Sequence, residues 1–199
     1  MSKTVRNSII SLAIVVVLSA LLGFLGVSGF PTILLPLLFG AFTFYLLQML
    51  SGNKAEIQAT PAERQAALAV VPSPGTALVY IYRDGFVGKA LGIDVVIDGQ
   101  PIAQLKSPRF VALTLDAGPH LINAGPKGFA ASQAKSGEIA FNAASGETIV
   151  FNLSMSLGAI KNSVVIRREP VPEFALKKLS SITMVAPARP TAIPPTTAS

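Results

Sequence analysis

The sequence predicts a two-helix transmembrane hairpin, then an all-β domain of the immunoglobulin-like β-sandwich class, then a disordered C-terminal tail. Three observations lead to this prediction. Residues 7–53 contain no Asp, Glu, Lys, Arg or His, although the 199-residue chain carries 16 basic and 10 acidic residues. Short runs of β-type sequence, separated by turn residues, follow this stretch. The chain ends in a segment that is rich in Pro, Ala and Thr.

The uncharged run is long enough for two helical crossings of a bilayer. It divides at Gly29 and Pro31, residue types that mark a turn and the first turn of a new helix. The predicted helices cover residues 8–27 and 32–50, and about 20 helical residues span the ~30 Å of hydrocarbon. Residues 1–53 are therefore predicted to form a membrane hairpin.

A cleavable signal peptide is the alternative interpretation of the first apolar segment. Lys3 and Arg6 provide the basic start of such a peptide, but the second segment would remain after cleavage. Basic residues flank the hairpin on both sides and its connection carries none, so the positive-inside rule favours a cytoplasmic β-domain over a periplasmic one. Ser19 and Gly23 have the spacing that permits close helix packing, and with it self-association of the hairpin.

Residues 54–75 are predicted to contain a short amphipathic helix and a linker. Thr60 suits the N-cap, Pro61 suits the first helical position, and Glu63 completes a capping box. A Pro- and Gly-containing stretch at residues 71–75 then ends the helix and is typical of a linker.

Residues 76–180 are predicted to form the β-sandwich. Apolar runs of strand length recur with turn residues about every 8–12 positions, which is typical of such folds. Asp98-Gly99 is a strong hairpin signal. A short helix is predicted at about residues 171–179. The Pro/Ala/Thr-rich tail over residues 181–199 has too little apolar surface to fold.

Four stretches of the β-region are similar to a known bacterial family. They are Ala77-Leu-Val-Tyr-Ile-Tyr-Arg83-Asp-Gly-Phe-Val-Gly88, Val95-Val-Ile-Asp-Gly99, Gly118-Pro-His120 and Ser145-Gly-Glu-Thr-Ile-Val150. On these residues, segment 77–179 resembles the domain of unknown function 2846 family, whose members are small β-rich domains often found on predicted lipoproteins. The resemblance implies a β-rich fold and a location in the bacterial cell envelope. It implies no particular enzymatic activity. Because the chain has no Cys to lipidate, the hairpin would replace the lipid anchor in the inner membrane.

Arg83, Asp84 and His120 are the candidate ligand or interaction positions. Arg83 and Asp84 close the first predicted strand, where they either recognise a ligand or form a surface ion pair. His120 is the only histidine, and it either belongs to a Ser-His-Asp arrangement with Asp116 or bonds loop backbone groups. Asp94 shares a strand face with Asp98, and we interpret this face as solvated.

The sequence predicts no catalytic, metal or cofactor site. It contains neither a Cys nor a Gly-x-Ser-x-Gly nucleophile elbow, and its single His stands among scattered carboxylates. The leading hypothesis is a non-enzymatic, membrane-anchored protein that binds another envelope protein or itself. An accessory subunit of a pore or transporter and an envelope hydrolase are the alternatives, although the apolar segments carry no ionisable residue to mark an ion pathway.

The formal charge of +6 is the remaining functional clue. Nucleic-acid binding usually requires a dense basic patch with stacking aromatic residues. The basic residues here are spread along the chain instead, so we expect no nucleic-acid partner. Attraction to the anionic headgroups of a lipid bilayer explains the charge more simply.

Overall fold

The computed structural model describes residues 2–158 and 161–188, and the chain divides into two compact units. The first comprises Met1–Gly52 with Gly128–Ala130, and the second comprises Asn53–Lys127 with Ala131–Ser199. The first unit is built from long helices, whereas the second is built mainly from β-strands.

Two long helices form the first unit. Helix α1 covers Lys3–Phe24 and helix α2 covers Phe30–Met49, and a short 3-10 turn follows at Leu50–Gly52. Both are long and apolar enough to cross a membrane, and many of their large apolar side chains are exposed. Helix α1 begins five residues earlier than predicted because Ser2 caps it, and it ends earlier because Gly26 has a φ of 75°.

The two helices pack closely at a glycine of α2. Gly40 lies so near α1 that an added Cβ would overlap the Val15 side chain and approach the Ser11 carbonyl to 3.3 Å. The predicted small-residue pair of Ser19 and Gly23 does not make this contact, since a Cβ at Gly23 would meet nothing within 4 Å. A role for that pair between two copies of the chain stays a prediction.

The described part of the second unit contains ten strands and two α-helices. In chain order they are α3 (Pro61–Ala69), β1 (Thr76–Arg83), β2 (Ile93–Ile97), β3 (Gln100–Leu105), β4 (Arg109–Asp116), β5 (Gly118–Pro126), β6 (Ala134–Lys135), β7 (Gly137–Ala143), β8 (Thr148–Ser156), β9 (Asn162–Arg168), α4 (Pro172–Leu179) and β10 (Thr183–Met184).

The strands form two sheets. Strands β10, β4, β1, β8, β9 and β6 make a six-stranded sheet in that order, and β3, β2, β5 and β7 make a four-stranded sheet. The pairs β1–β8, β10–β4 and β6–β9 are parallel. The other pairs are antiparallel. The predicted β-rich domain is confirmed at this level.

Strand β1 lies inside the six-stranded sheet and is buried on both faces. Side chains alternate along a strand, so successive apolar residues cover both faces at once. Helices α3 and α4 cover one face, where Leu78 and Tyr80 pack with Ala67 and Leu179. The Tyr80 hydroxyl donates a hydrogen bond to the Ala67 carbonyl at 2.6 Å. The predicted helix at residues 171–179 therefore contributes to the core through its buried residues, Ala175 and Leu179.

The opposite face of the six-stranded sheet meets the four-stranded sheet. Phe151 of β8 packs edge-on against Phe141 of β7, with ring centroids 4.9 Å apart. Gly137 approaches the other sheet so closely that a Cβ there would overlap the Val164 carbonyl oxygen. The core thus consists of two layers, one between the sheets and one beneath the helices.

Segments on both sides of the predicted sandwich belong to the same unit. Gln58 pairs with Val185 in an antiparallel bridge, and β10 lies beside β4. The ordered domain therefore extends past residue 181, where we predicted that the tail begins, because Ile182, Met184 and Val185 are buried and add to the core. The tail prediction for residues 189–199 lies outside the described residues.

Candidate functional site

A cleft of about 210 Å³ runs along β3, which is one edge of the four-stranded sheet. Four segments line it: residues 54–57, strand β2, strand β3 and residues 185–188. Ala188 donates its backbone N–H to the Ile102 carbonyl at 2.7 Å, so the edge of β3 already accepts a main-chain hydrogen bond from another segment. Lys54, Glu56 and Asp94 bring charge to a lining that is otherwise mostly apolar.

Asp94 is a buried carboxylate in this cleft. Its Oδ2 lies 3.3 Å from Lys54 Nζ and 2.9 Å from Lys127 Nζ, and its Oδ1 accepts a hydrogen bond from Gln104 Nε2 at 2.6 Å. Gln104 Oε1 in turn accepts the Lys54 backbone N–H at 2.6 Å. A buried charge needs such partners. The interpretation of Asp94 as part of a solvated face is therefore wrong.

Glu56 is the second carboxylate of the cleft, and its side chain is 8% exposed. It lies 3.6 Å from Lys106 Nζ and 3.5 Å from Arg109 Nε, and it accepts the Lys106 backbone N–H at 3.2 Å. Each carboxylate thus has two cationic partners. The sequence analysis assigned Asp94 to a solvated face and did not single out Glu56, because the partners of both residues come from segments that are distant in the chain.

Arg83 is fully buried at the end of β1, with an exposed fraction of 1%. Its guanidinium donates hydrogen bonds to the carbonyls of Gly88 at 2.7 Å, Leu105 at 3.2 Å and Val87 at 3.3 Å, and also to that of Leu91. Burial lowers the pKa of Arg83 to about 10, which leaves the side chain charged at neutral pH. Arg83 therefore holds the loop between β1 and β2 against the end of β3.

The structure does not bring the three candidate residues together. Asp84 pairs with Lys178 of α4 rather than with Arg83, because neighbouring residues of an extended chain point to opposite sides. Arg83 pairs in register with the first residue of β4, Arg109, whereas His120 contacts the last one, Asp116. The candidate positions thus lie at opposite ends of the domain.

His120 connects two turns at its end of the domain. Its Nδ1 lies 2.6 Å from Asp98 Oδ2 and its Nε2 lies 2.8 Å from the Asp116 carbonyl oxygen. Asp98 also accepts the Leu121 N–H at 2.9 Å, and its φ of 49°, followed by 75° at Gly99, matches the predicted hairpin turn. Since both ring nitrogens have partners, the geometry favours a structural role over a catalytic one.

The Asp98–His120 pair shifts the pKa of both groups. Burial disfavours the charged imidazole, but the hydrogen bonds to Asp98 and to the Asp116 carbonyl outweigh it and raise the pKa of His120. Burial also disfavours the charged carboxylate, but the hydrogen bonds from His120 and the Leu121 N–H outweigh it and lower the pKa of Asp98.

We expect this pair to stabilise the domain most at mildly acidic pH. The raised pKa of His120 stabilises the fold below its unfolded value of about 6.5, and this contribution is lost as pH rises through the folded value. The lowered pKa of Asp98 stabilises above about 3.9, and this is lost as pH falls through the folded value. Both contributions are present together between about pH 4 and pH 6.5.

Urea unfolding of the full chain in mild detergent, followed by the near-ultraviolet circular dichroism of its tyrosines, measures this effect. Raising the pH from 6 to 9 should lower the free energy of unfolding by up to about 1 kcal/mol, the scale of an exposed ion pair. The His120→Gln variant should lose that part of the pH dependence. Identical pH profiles for the two proteins would show that the pair contributes nothing.

The comparisons with known proteins add little to this geometry. No family model matches the chain. Over 52 residues it is 42% identical to a protein of Haemophilus influenzae (strain KW20 / Rd) named only "Uncharacterized protein". The match covers 26% of this chain and 31% of that relative. Among the described residues, no group of three or more His, Asp or Glu could hold a metal ion.

Proposed function

We propose that this protein is a membrane-anchored, non-enzymatic β-domain protein that binds a partner protein in the bacterial cell envelope. The continuity of the chain carries this proposal. Two helices long and apolar enough to span a membrane lie before Gly52. The next residue, Asn53, already bonds within the β-unit, with its side chain 2.8 Å from the Ala90 carbonyl and 2.7 Å from the Gly92 N–H. The anchor and the β-domain are therefore adjacent in sequence.

The exposed surface of the two helices supports the anchoring part of the proposal. Large apolar side chains such as Leu12, Val16, Leu38 and Phe39 are more than half exposed. A soluble monomer rarely exposes large contiguous apolar patches. In hydrocarbon, a helix also satisfies all of its backbone hydrogen bonds internally.

The bonding of the polar groups supports a binding or structural role rather than a reaction. Arg83 uses its donors on backbone carbonyls, His120 uses both ring nitrogens, and Asp94 accepts from three side chains. Side chains whose polar groups are already bonded within the protein in this way hold the fold together. Proton transfer instead requires a group that is within reach of a substrate and poised near the working pH.

The cleft along β3 is the partner site in this proposal, and its occupant is an extended polypeptide segment. An edge strand offers main-chain donors and acceptors for strand addition. The bond from the Ala188 N–H to the Ile102 carbonyl is one such main-chain contact at this edge, made by the chain itself. Pro101 and Ala103 give the cleft apolar contact surface, and Lys54, which pairs with Asp94, gives it a polar rim.

The proposal extends to fold class and location. The two packed sheets support the sandwich part of the immunoglobulin-like prediction. The predicted resemblance of residues 77–179 to the domain of unknown function 2846 family supports an envelope role and favours a periplasmic β-domain, whereas the charges that flank the hairpin favour a cytoplasmic one. We place both chain ends in the cytoplasm with the hairpin in the inner membrane, because Lys3 and Arg6 precede it and Lys54 and Arg64 follow it. Protease cleavage of the β-domain in intact spheroplasts would overturn this orientation.

Site-specific photocrosslinking in intact cells tests the partner site. A photoreactive phenylalanine analogue at Pro101, exposed on β3, should give a discrete protein adduct at several times the yield of the control. The matched control is Ala140, exposed on β7, the opposite edge of the same sheet. Equal adducts at both positions, or none at either, would contradict a partner site on β3. Sedimentation of the membranes from the same cells reports on anchoring separately.

A further inference from the structure

The loop between β1 and β2 presents an exposed aromatic residue in a fixed conformation. The Phe86 side chain is 90% exposed. Arg83 holds the next two residues of the loop through the carbonyls of Val87 and Gly88. Gly88 has a φ of 63°, and a Cβ there would approach Met155 Sδ to 2.5 Å, so the loop packs tightly on β8. The loop backbone that follows Phe86 is thus held by Arg83 and by its packing against Met155.

This loop lies at the end of the β-domain where the chain enters from helix α2. Asn53, one residue after Gly52, bonds to Ala90 and Gly92 of the same loop. Strand β8 runs parallel to β1 and ends at the same side. Leu157, the residue after β8, is 71% exposed. Two exposed apolar side chains therefore lie at the end of the domain that is defined by Asn53.

The charges at this end leave a basic excess. The acidic residues have cationic partners: Asp84 pairs with Lys178, Asp94 with Lys54 and Lys127, and Glu56 with Lys106 and Arg109. Lys89 lies in the Phe86 loop, and the strand register places Lys135 and Lys161 at the same end. All three are exposed, and none has an acidic partner among residues 2–158 and 161–188.

We propose that this basal surface, formed by Phe86, Lys89, Lys135, Leu157 and Lys161, rests on the anionic headgroups of the bilayer that holds the hairpin. Phe86 and Leu157 enter the boundary between headgroups and acyl chains, where aromatic residues concentrate and amphipathic surfaces bury their apolar side. The lysines bind lipid phosphates and add to the attraction. This inference rests on the proposed anchoring, because Asn53 follows the hairpin directly in sequence.

A tryptophan reporter in the full chain tests this surface, because the protein contains no Trp of its own. The Phe86→Trp variant is reconstituted into vesicles of phosphatidylcholine with 30% phosphatidylglycerol, with and without acyl-brominated lipid. The matched control is Val71→Trp. Val71 is 83% exposed and precedes the other end of β1. We expect blue-shifted emission and at least twofold quenching by brominated lipid for Phe86→Trp, and solvent-exposed, unquenched emission for Val71→Trp.

The role of charge is tested in the same background. Adding Lys89→Glu and Lys161→Glu to Phe86→Trp should reduce the quenching at least twofold, as should replacing phosphatidylglycerol by phosphatidylcholine. Unquenched emission from Phe86→Trp in protein that floats with the vesicles would overturn the inference and leave the anchoring intact. Quenching that is unchanged by both charge tests would overturn the role of anionic headgroups. Failure of the chain to float with the vesicles would instead overturn the proposed anchoring.

Discussion

Replacing Arg83 with methionine should lower the free energy of unfolding of the β-domain by about 3–5 kcal/mol. The substitution keeps most of the aliphatic volume but removes every donor of the guanidinium. The carbonyls of Gly88, Leu91 and Leu105 would lose a charged hydrogen-bond donor in a buried environment. An orphaned buried acceptor costs about 1–3 kcal/mol, and only part of this cost is recovered where water can reach the loop.

Two further variants make the measurement specific. Arg167 is exposed on β9, so Arg167→Met makes the same chemical change at the surface and should stay within about 0.5 kcal/mol of the natural chain. Arg83→Lys should fall between the two, because an ammonium group cannot reach several carbonyls with the geometry of a planar guanidinium. Urea unfolding in mild detergent, followed by tyrosine circular dichroism, gives all three values. A loss below about 1 kcal/mol for Arg83→Met would show that its bonds to the loop do not support the fold.

The same variant tests whether Arg83 fixes the β1–β2 loop locally. If Arg83 fixes the loop, Arg83→Met should speed tryptic cleavage at Lys89, since exposed and loosely held segments are the preferred sites of proteolysis. Cleavage at Lys54, which is held by Asp94 and Gln104, should change less. Equal acceleration at both lysines would indicate general unfolding rather than local release of the loop.

Features that depend on neighbouring residues were predictable from the sequence. The uncharged run of residues 7–53 indicates two apolar helices because it is long enough for two stretches of about 20 apolar residues, the length that a membrane crossing needs. The capping box at Thr60 and Glu63 forms as predicted, since both of its bonds lie within four residues. The turn at Asp98-Gly99 likewise follows from local backbone preferences.

Features that depend on distant partners were not predictable. The parallel pairing of β1 with β8 joins residues about 70 positions apart. The apolar pattern of a strand does not show which other strand will pair with it. The burial of Arg83 and Asp94 depends on loops and lysines from other parts of the fold. Asp94 does carry one signal, because it interrupts an apolar strand opposite Gln104. The pairing of Asp94 with Gln104 can be recognised only once the register of β2 and β3 is known.

Removing residues 1–51 should convert the protein from a membrane-bound form to a soluble, folded one. The core between the two sheets and the core beneath α3 and α4 lie entirely within residues 53–188. Asn53 and Lys54 stay in this variant, so their bonds to Ala90, Gly92 and Gln104 are kept. The change removes the exposed apolar surface of both helices, which is the feature on which the proposed anchoring rests.

Fractionation distinguishes the possible outcomes. After a high-salt wash, which screens the contacts of exposed lysines with anionic headgroups, the shortened protein should be found almost entirely in the supernatant and should keep the tyrosine circular dichroism of a packed core. The matched control lacks residues 1–29 only. It should remain in the membrane pellet through alkaline carbonate extraction, because α2 alone is long enough to span the bilayer. A shortened protein that pellets or lacks the tyrosine signal would show that the β-domain depends on the helices for its fold. Release of the control by carbonate would show that α2 does not span the membrane, and would leave α1 as the segment that holds the chain there.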